Sequence, residues 1–183
     1  MTHHEEQTQI TVVARGGGWL VVDKPPGLSV HNDPGRDLCA RVQRRLSQDA
    51  PLADQTGYKP GDGVHAPHRL DRDTSGLVLV CCRPSALQFY SRAFQTGQIG
   101  KRYVAILHGR LEKPGKQGSW HVPLTRAAGG RADPRGQGKR LASRTVLQVM
   151  GHSDHYSLAA ISPMTGRKYH IRRHAKLPGH PVV

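Results

Sequence analysis

At 183 residues the chain is long enough for one domain with a real core, and its 36% hydrophobic and 5% aromatic content makes that core aliphatic and modest. Lys and Arg total 27 against 13 Asp and Glu, leaving +14 with His neutral, an excess that points to an anionic partner, nucleic acid first and an acidic membrane surface second. No apolar run approaches the ~20 residues of a spanning helix, the polar start with Glu5 and Glu6 is not a secretory signal, and Cys39, Cys81 and Cys82, in apolar company, read as reduced, partly buried thiols of a cytosolic protein.

Residues 1–9 read as a disordered lead-in and 10–183 as a single domain. Strands are expected over 10–14 and 19–22, parted by Gly16-Gly17-Gly18. The second runs into Asp23-Lys24-Pro25-Pro26-Gly27, a turn that two prolines stiffen. Leu28-Ser29-Val30-His31 follows as the far arm of a strand–turn–strand unit, in which Lys24 is a lone lysine able to touch phosphate. Asp37 caps a predicted helix over 38–46, with Leu38, Val42 and Leu46 at i, i+4 and i+8. Its other face carries Arg41, Arg44 and Arg45; solvation is the default reading and RNA contact the sharper one. Residues 47–63, rich in Pro, Gly and Asp, read as a loop.

The chain then reaches His68-Arg69-Leu70-Asp71-Arg72-Asp73, a Thr74-Ser75-Gly76 turn, and the apolar run Leu77-Val78-Leu79-Val80. That run is short enough to be a buried strand. A charged loop is thereby anchored to the core, with Asp71 at the junction. An acid between Arg69 and Arg72 should stay ionised at neutral pH, which suits a nucleophile or base better than a proton donor. The plainer reading is a loop Asp that pairs with either arginine.

Ser85 is expected to cap a helix through Phe94, closed by Gly97, with Leu87, Tyr90, Ser91 and Phe94 on one stripe and both aromatics packing in the core. Residues 101–107 read as a strand on which Tyr103, Ala105 and Leu107 share a face. Residues 120–124 form a short edge strand, since Pro123 cannot donate to a ladder. Residues 126–140, with Arg126, Arg131, Arg135, Lys139 and Arg140, are too polar to pack alone; they form either a solvated segment or a flexible basic loop able to close over a phosphate backbone. Residues 141–150 and 155–162 read as paired strands, and 162–166 as a turn. Residues 167–177 form the last helix, placing Lys168, Arg172 and Lys176 on one face.

Four segments resemble one family. Residues 68–77 resemble the signature loop of the RluA-type pseudouridine synthases, His-Arg-Leu-Asp-x-x-Thr-Ser-Gly-Leu, with Asp71 on the family's catalytic aspartate. Residues 23–31 resemble its first motif. Lys101-Arg102-Tyr103-Val104-Ala105 resembles Lys-x-Tyr-x-Ala, with Tyr103 matching the tyrosine set against the target base. Residues 165–172 resemble Thr-Gly-Arg-x-His-Gln-Ile-Arg, except that Tyr169 and His170 stand at the His-Gln positions. Arg172 there matches the cation the family pairs with its aspartate.

The resemblance implies an α+β fold, a mixed, mainly antiparallel sheet flanked by helices, with a cleft where Asp71, Tyr103 and Arg172 converge. It implies isomerisation of uridine in rRNA or tRNA to pseudouridine by base flipping. Asp71, Tyr103 and Arg172 would carry the chemistry, and His68, Arg69, Arg72, Thr74, Lys101 and Arg167 would line the substrate. The expected protein is a cytoplasmic monomer that needs RNA, no membrane, no cofactor and no metal. Gly179-His180-Pro181-Val182-Val183 normally continues in the family, so the domain is expected to be C-terminally incomplete, with an open sheet edge and an exposed apolar face.

Two other readings compete. A metal-dependent hydrolase could use His65, His68, Asp71 and Asp73, or His170 and His174. Against it, Pro67 sits inside the first pair, Arg69 and Arg72 repel a cation, and no His-Glu-x-x-His occurs. A non-catalytic RNA-binding module fits the charge equally well, but does not use the three motif residues.

Overall fold

The computed structural model describes residues 10–111, 115–126 and 133–183. The expected lead-in, residues 1–9, and Arg131 of the basic stretch lie outside them. The chain divides into two compact units, Met1–Gln98 and Ile99–Val183.

The first unit opens on a hairpin of β1, Thr11–Gly16, and β2, Trp19–Lys24. Two helices follow, α1 over Leu38–Gln48 and α2 over Ala50–Thr56. Strand β3, Gly76–Cys81, and helix α3, Pro84–Gln95, complete it. The antiparallel sheet runs β1-β2-β3. Its register sets Leu20 against Val80 and Val22 against Val78, and all four are fully buried. Each such side chain contributes about 2 kcal/mol by leaving water. Leu77, the first apolar residue of the predicted buried run, instead faces outward at 57% exposure, because strand alternation puts it opposite Val78.

Helix α1 starts where Asp37 predicts. The Asp37 carboxylate accepts from the Ala40 amide at 2.9 Å, and Leu38, Val42 and Leu46 are buried. Two local expectations are corrected. Residues 28–31 are not a strand: the Ser29 and Val30 carbonyls accept from the Leu38 and Cys39 amides at 2.9 and 3.3 Å, so this irregular segment buries Leu28 and Val30 while holding the start of α1. Residues 47–63 are not all loop. Asp49 accepts from the Leu52 amide at 3.0 Å, Pro51 fits the first turn where no amide is needed, and Gly57 ends α2 at φ 63°.

Ser85 does not cap α3, which begins one residue earlier at Pro84 with no side-chain cap. Its C-terminus closes as expected, with Gly97 at φ 74° and the Gln98 amide on the Ala93 carbonyl. Tyr90 sits edge-on to Trp19 at 6.2 Å. Both Tyr90 and Phe94 are half-buried rather than interior. The three cysteines are free, Cys81 and Cys82 buried and Cys39 half-buried. Burial pushes the thiols of Cys39 and Cys81 up to about 12.

The second unit is built on an antiparallel sheet of order β4-β9-β8-β5. Its strands are β4, Tyr103–His108, β5, Gln117–Trp120, β8, Thr145–His152, and β9, Tyr156–Pro163. A two-stranded ladder pairs β6, Leu124–Thr125, with β7, Arg140–Leu141. The expected strand over 120–124 is thus split, and His121, Val122 and Pro123 lie between β5 and β6. Alternation along β4 holds: Leu107 is buried with Leu147, Ala159, Ile161 and Ala175, and Ala105, Trp120 and Ile171 pack against them. Val104 and Ile106, on the opposite face, are 63% and 50% exposed. The outer edge of β4 meets residues 181–183, with the Val183 amide on the Ile106 carbonyl at 3.0 Å.

Helix α4 covers only His170–Lys176, not 167–177. Tyr169 adopts a left-handed backbone at φ 54°, which breaks the helical path before His170. Lys168 therefore leaves the expected stack with Arg172 and Lys176, and its ammonium sits over the Tyr169 ring instead, 5.3 Å from the centroid. Every strand pair among the described residues is antiparallel, and the fold class is α+β. No helix of the described residues is long and apolar enough to cross a membrane.

Candidate active site

In the first unit, residues 65–76 are pinned at four points. His65 exchanges backbone bonds with Cys81, at 2.9 and 2.7 Å. The Leu79 amide donates to His68 Nε2 at 2.9 Å, and the His68 ring lies 4.4 Å from that of Phe94. Leu70 is buried. The Thr74 amide donates to the Asp71 carbonyl at 3.1 Å, so the chain turns across Arg72 and Asp73, two residues ahead of the expected Thr74-Ser75-Gly76 turn. Gly76 then enters β3 at φ 121°, a backbone open to glycine and to few other residues.

The fourth pin is Lys24. Period-two alternation after Leu20 and Val22 puts it on the buried face of β2, and its side chain is fully buried. Its ammonium donates to the carbonyls of Pro25, Leu28 and Arg72 at 2.8, 2.7 and 2.8 Å. An ammonium has three N–H donors, and all three are used. One side chain thus ties the proline turn of the first motif to the Asp71 turn. Burial lowers the Lys24 ammonium from its ordinary range, while the carboxylates of Asp73 and then Asp71 act in the opposite sense. Asp71 is half-buried; Arg69, Arg72 and Asp73 are exposed, and Thr74 is half-buried. The expectation that Asp71 is flanked by cations therefore gains a buried member that the local sequence does not display.

In the second unit, Tyr103 opens β4 opposite Ile161, half-buried on the face that carries Ala105 and Leu107. Lys101 is half-buried, its ammonium 3.8 Å from where a Cβ on Gly166 would stand, and burial lowers its pKa. Arg167 follows directly and donates to the carbonyls of Gly166 and Ala142 at 2.8 and 3.1 Å. Lys101 and Arg167 therefore both lie close to Gly166. Arg172 lies on the exposed face of α4.

The neighbouring Arg173 is a residue that sequence reasoning missed. It is 4% exposed and donates to the carbonyls of Thr125, Pro134, Arg135 and Lys168 and to the Thr125 hydroxyl. It fastens the backbone of residues 134–135 of the basic stretch to α4, while the Arg135 side chain stays exposed. Arg135 and Arg140 line a depression of about 440 Å³ with His121, Val122 and Pro123.

His174 is fully buried. The Val122 carbonyl only accepts, so His174 Nε2 carries the proton at 2.8 Å and Nδ1 accepts from the Thr145 hydroxyl at 2.7 Å. His170, at the motif's glutamine position, is 6% exposed, and neither ring nitrogen has a hydrogen-bond partner among the described residues. Burial first, then the adjoining His174 ring and the cationic groups of Lys101, Arg167 and Arg173, push it down to about 3. Among the described residues no group of three His, Cys, Asp or Glu could hold a metal ion, so the histidine pairs of the hydrolase reading do not build a ligand set there.

A sequence model described as RNA pseudouridylate synthase matches residues 18–177. The ribosomal large subunit pseudouridine synthase C of Pasteurella multocida is 29% identical over 165 residues, covering 90% of this chain and 47% of that protein. An uncharacterised RNA pseudouridine synthase of Zymomonas mobilis is 34% identical over 169 residues, covering 90% and 71%. The tRNA pseudouridine synthase C of Haemophilus ducreyi is 28% identical, covering 96% and 72%. The chain spans about half the length of the ribosomal relatives it matches. The solved structure of human RNA pseudouridylate synthase domain containing 1 superposes with a TM-score of 0.70 at 24% identity, over 95% of this chain and 67% of that one, a likeness of fold.

Proposed function

Since the chain belongs to the RNA pseudouridylate synthase family, we propose that it isomerises uridine to pseudouridine within rRNA or tRNA, as a cytoplasmic monomer. The reaction breaks the N1–C1′ bond, turns the base, and joins C5 to C1′. The C5 proton leaves and N1 gains one, so no atom or electron is gained or lost overall, and the chemistry calls for neither metal nor redox cofactor. The base must first leave its stack at a cost of a few kcal/mol, which contacts to phosphate from a chain of +14 formal charge offset.

The roles are those the resemblance implies. Asp71 starts the chemistry at the sugar, by attack on C1′ or by removal of the 2′ proton. Tyr103 stacks on the extruded uracil and helps remove the C5 proton. Arg172 supplies the aspartate's counter-charge. Arg69 fills the place the base leaves or binds a phosphate, while Arg72, Thr74, Lys101 and Arg167 contact the substrate. His68 is better read as a brace for the loop, since its Nε2 and its ring face are both engaged within the first unit.

The observation that carries the proposal is the Asp71 turn, held by Lys24, Leu70 and His68 at the mouth of a buried strand within the matched region. Tritium release from RNA labelled at uridine C5 tests it. Asp71→Asn keeps the shape and removes the charge, and should lower release by at least ~10³-fold, the scale of losing a group that acts on the reacting centre. Comparable release from the variant would overturn the assignment, and RNA binding without release by the parent chain would favour the non-catalytic module.

A further inference from the structure

Helix α1 turns a second surface outward. Its buried stripe is Leu38, Val42 and Leu46; at 100° per residue, Arg41 and Arg44 fall together on the flank of the helix away from it. Arg36, in the preceding turn, is exposed beside them. The two helical guanidinium groups do not swing freely. Arg41 Nε donates to the Arg36 carbonyl at 3.1 Å, and Arg44 Nη2 donates to the Gly35 carbonyl at 3.2 Å. Gly35, at φ 78°, supplies the left-handed backbone of this turn.

A carbonyl fixes a guanidinium without cancelling its charge. Each of these arginines spends one of its five N–H donors on the turn. Among the described residues no carboxylate lies within ion-pair distance of Arg36, Arg41 or Arg44. The nearby Asp37 carboxylate is occupied by the Ala40 and Asp33 amides at 2.9 and 3.3 Å. Arg45 differs, since it approaches Asp49 and donates to the Ile10 carbonyl. The result is three cations on one patch, two of them pre-oriented, with planar donor forks left for an anion.

We infer that Arg36, Arg41 and Arg44 form a grip for RNA backbone phosphates. Phosphate fits because a guanidinium fork binds two of its oxygens at once. An acidic membrane fits less well: Leu38, Val42 and Leu46 of α1 are turned into the core, so the helix itself offers no large apolar side chain to a lipid layer. The inference rests on the RNA reading above but not on catalysis, and it predicts a sequence-independent contribution to binding.

The test compares the 183-residue chain with Arg41→Gln/Arg44→Gln and Arg41→Lys/Arg44→Lys, with circular dichroism confirming the fold of each. The probe is an oligocytidylate, which has no uridine and cannot be a substrate. Dissociation constants are measured across a salt series, and tritium release from uridine RNA is measured separately. Loss of two phosphate contacts should flatten the slope of log Kd against log salt by about 1.4, so that the advantage of the parent over the Gln variant shrinks about sevenfold between 50 and 200 mM salt. The Lys variant should keep most of the slope. An unchanged slope and affinity in the Gln variant, or no binding of oligocytidylate by the parent, overturns the grip. Tritium release reports on the enzymatic reading whichever way binding falls.

Discussion

His170 has a cost that appears only on acidification. Its imidazole is buried, neutral, and held down to about 3 by burial and by the surrounding cationic groups. In the unfolded chain the same group titrates near 6.5. Between those values the unfolded state binds a proton that the native state refuses, so stability falls as pH drops below about 6.5 and keeps falling toward 3. At pH 5 the one group removes roughly 2 kcal/mol relative to pH 7.5, where it removes almost nothing.

His170→Met should abolish that increment. At neutral pH it should be neutral or mildly stabilising, because it deletes two ring nitrogens that have no hydrogen-bond partner among the described residues. Urea titrations at both pH values would measure this, read from Trp120, whose ring lies 6.4 Å from that of His174, in a Trp19→Phe background. The parent should lose about 2 kcal/mol more than the Met variant on moving to pH 5. Equal losses in both would refute the reasoning, since His174 and every carboxylate are common to the pair.

Two further substitutions probe buried hydrogen bonds. Lys24→Met leaves the Pro25, Leu28 and Arg72 carbonyls without their shared donor and should cost about 3 kcal/mol or more, with faster hydrogen exchange at the Thr74 amide and loss of tritium release; a change under about 0.5 kcal/mol in urea denaturation would show that the lysine does not brace the turn. Thr145→Val removes the donor to His174 Nδ1 and should cost about 1–3 kcal/mol, read from the same Trp120 signal, whereas a neutral result would mean that another group serves that nitrogen.

What the sequence displayed was whatever local periodicity controls. Leu38, Val42 and Leu46, the Asp37 cap and the Tyr103 face of β4 follow from local pattern alone, and so does the pairing of β8 with β9, although the strand expected over 141–150 starts at Thr145 and runs on through Gly151 and His152. The Asp71 loop and its anchoring to β3 were readable because a charged string meets an apolar run. Lys24 was misjudged although the clue was present: Leu20, Val22 and Lys24 alternate, and an unbroken period of two puts the lysine inside. Its chemical type argues for the surface, and three carbonyls, Pro25 and Leu28 in the turn that follows it and Arg72 far along the chain, outweigh that preference. Helix α2 was hidden because Asp49 and Pro51 signal a helix start as well as a loop. The late start of α4 depends on the positive φ of Tyr169, a conformation that no side-chain pattern announces. Arg173 is buried by carbonyls up to 48 positions away, beyond any local rule.

The cysteines of the first unit have a practical corollary. With the thiols of Cys39 and Cys81 near 12, their reactive anions at neutral pH are roughly a thousandfold scarcer than those of an ordinary thiol. Cys82 is buried and shifted in the same direction by the same desolvation. Maleimide dyes would pass over all three while the fold is intact. A single cysteine introduced on the surface could therefore carry a fluorophore or spin label without first stripping out the native ones.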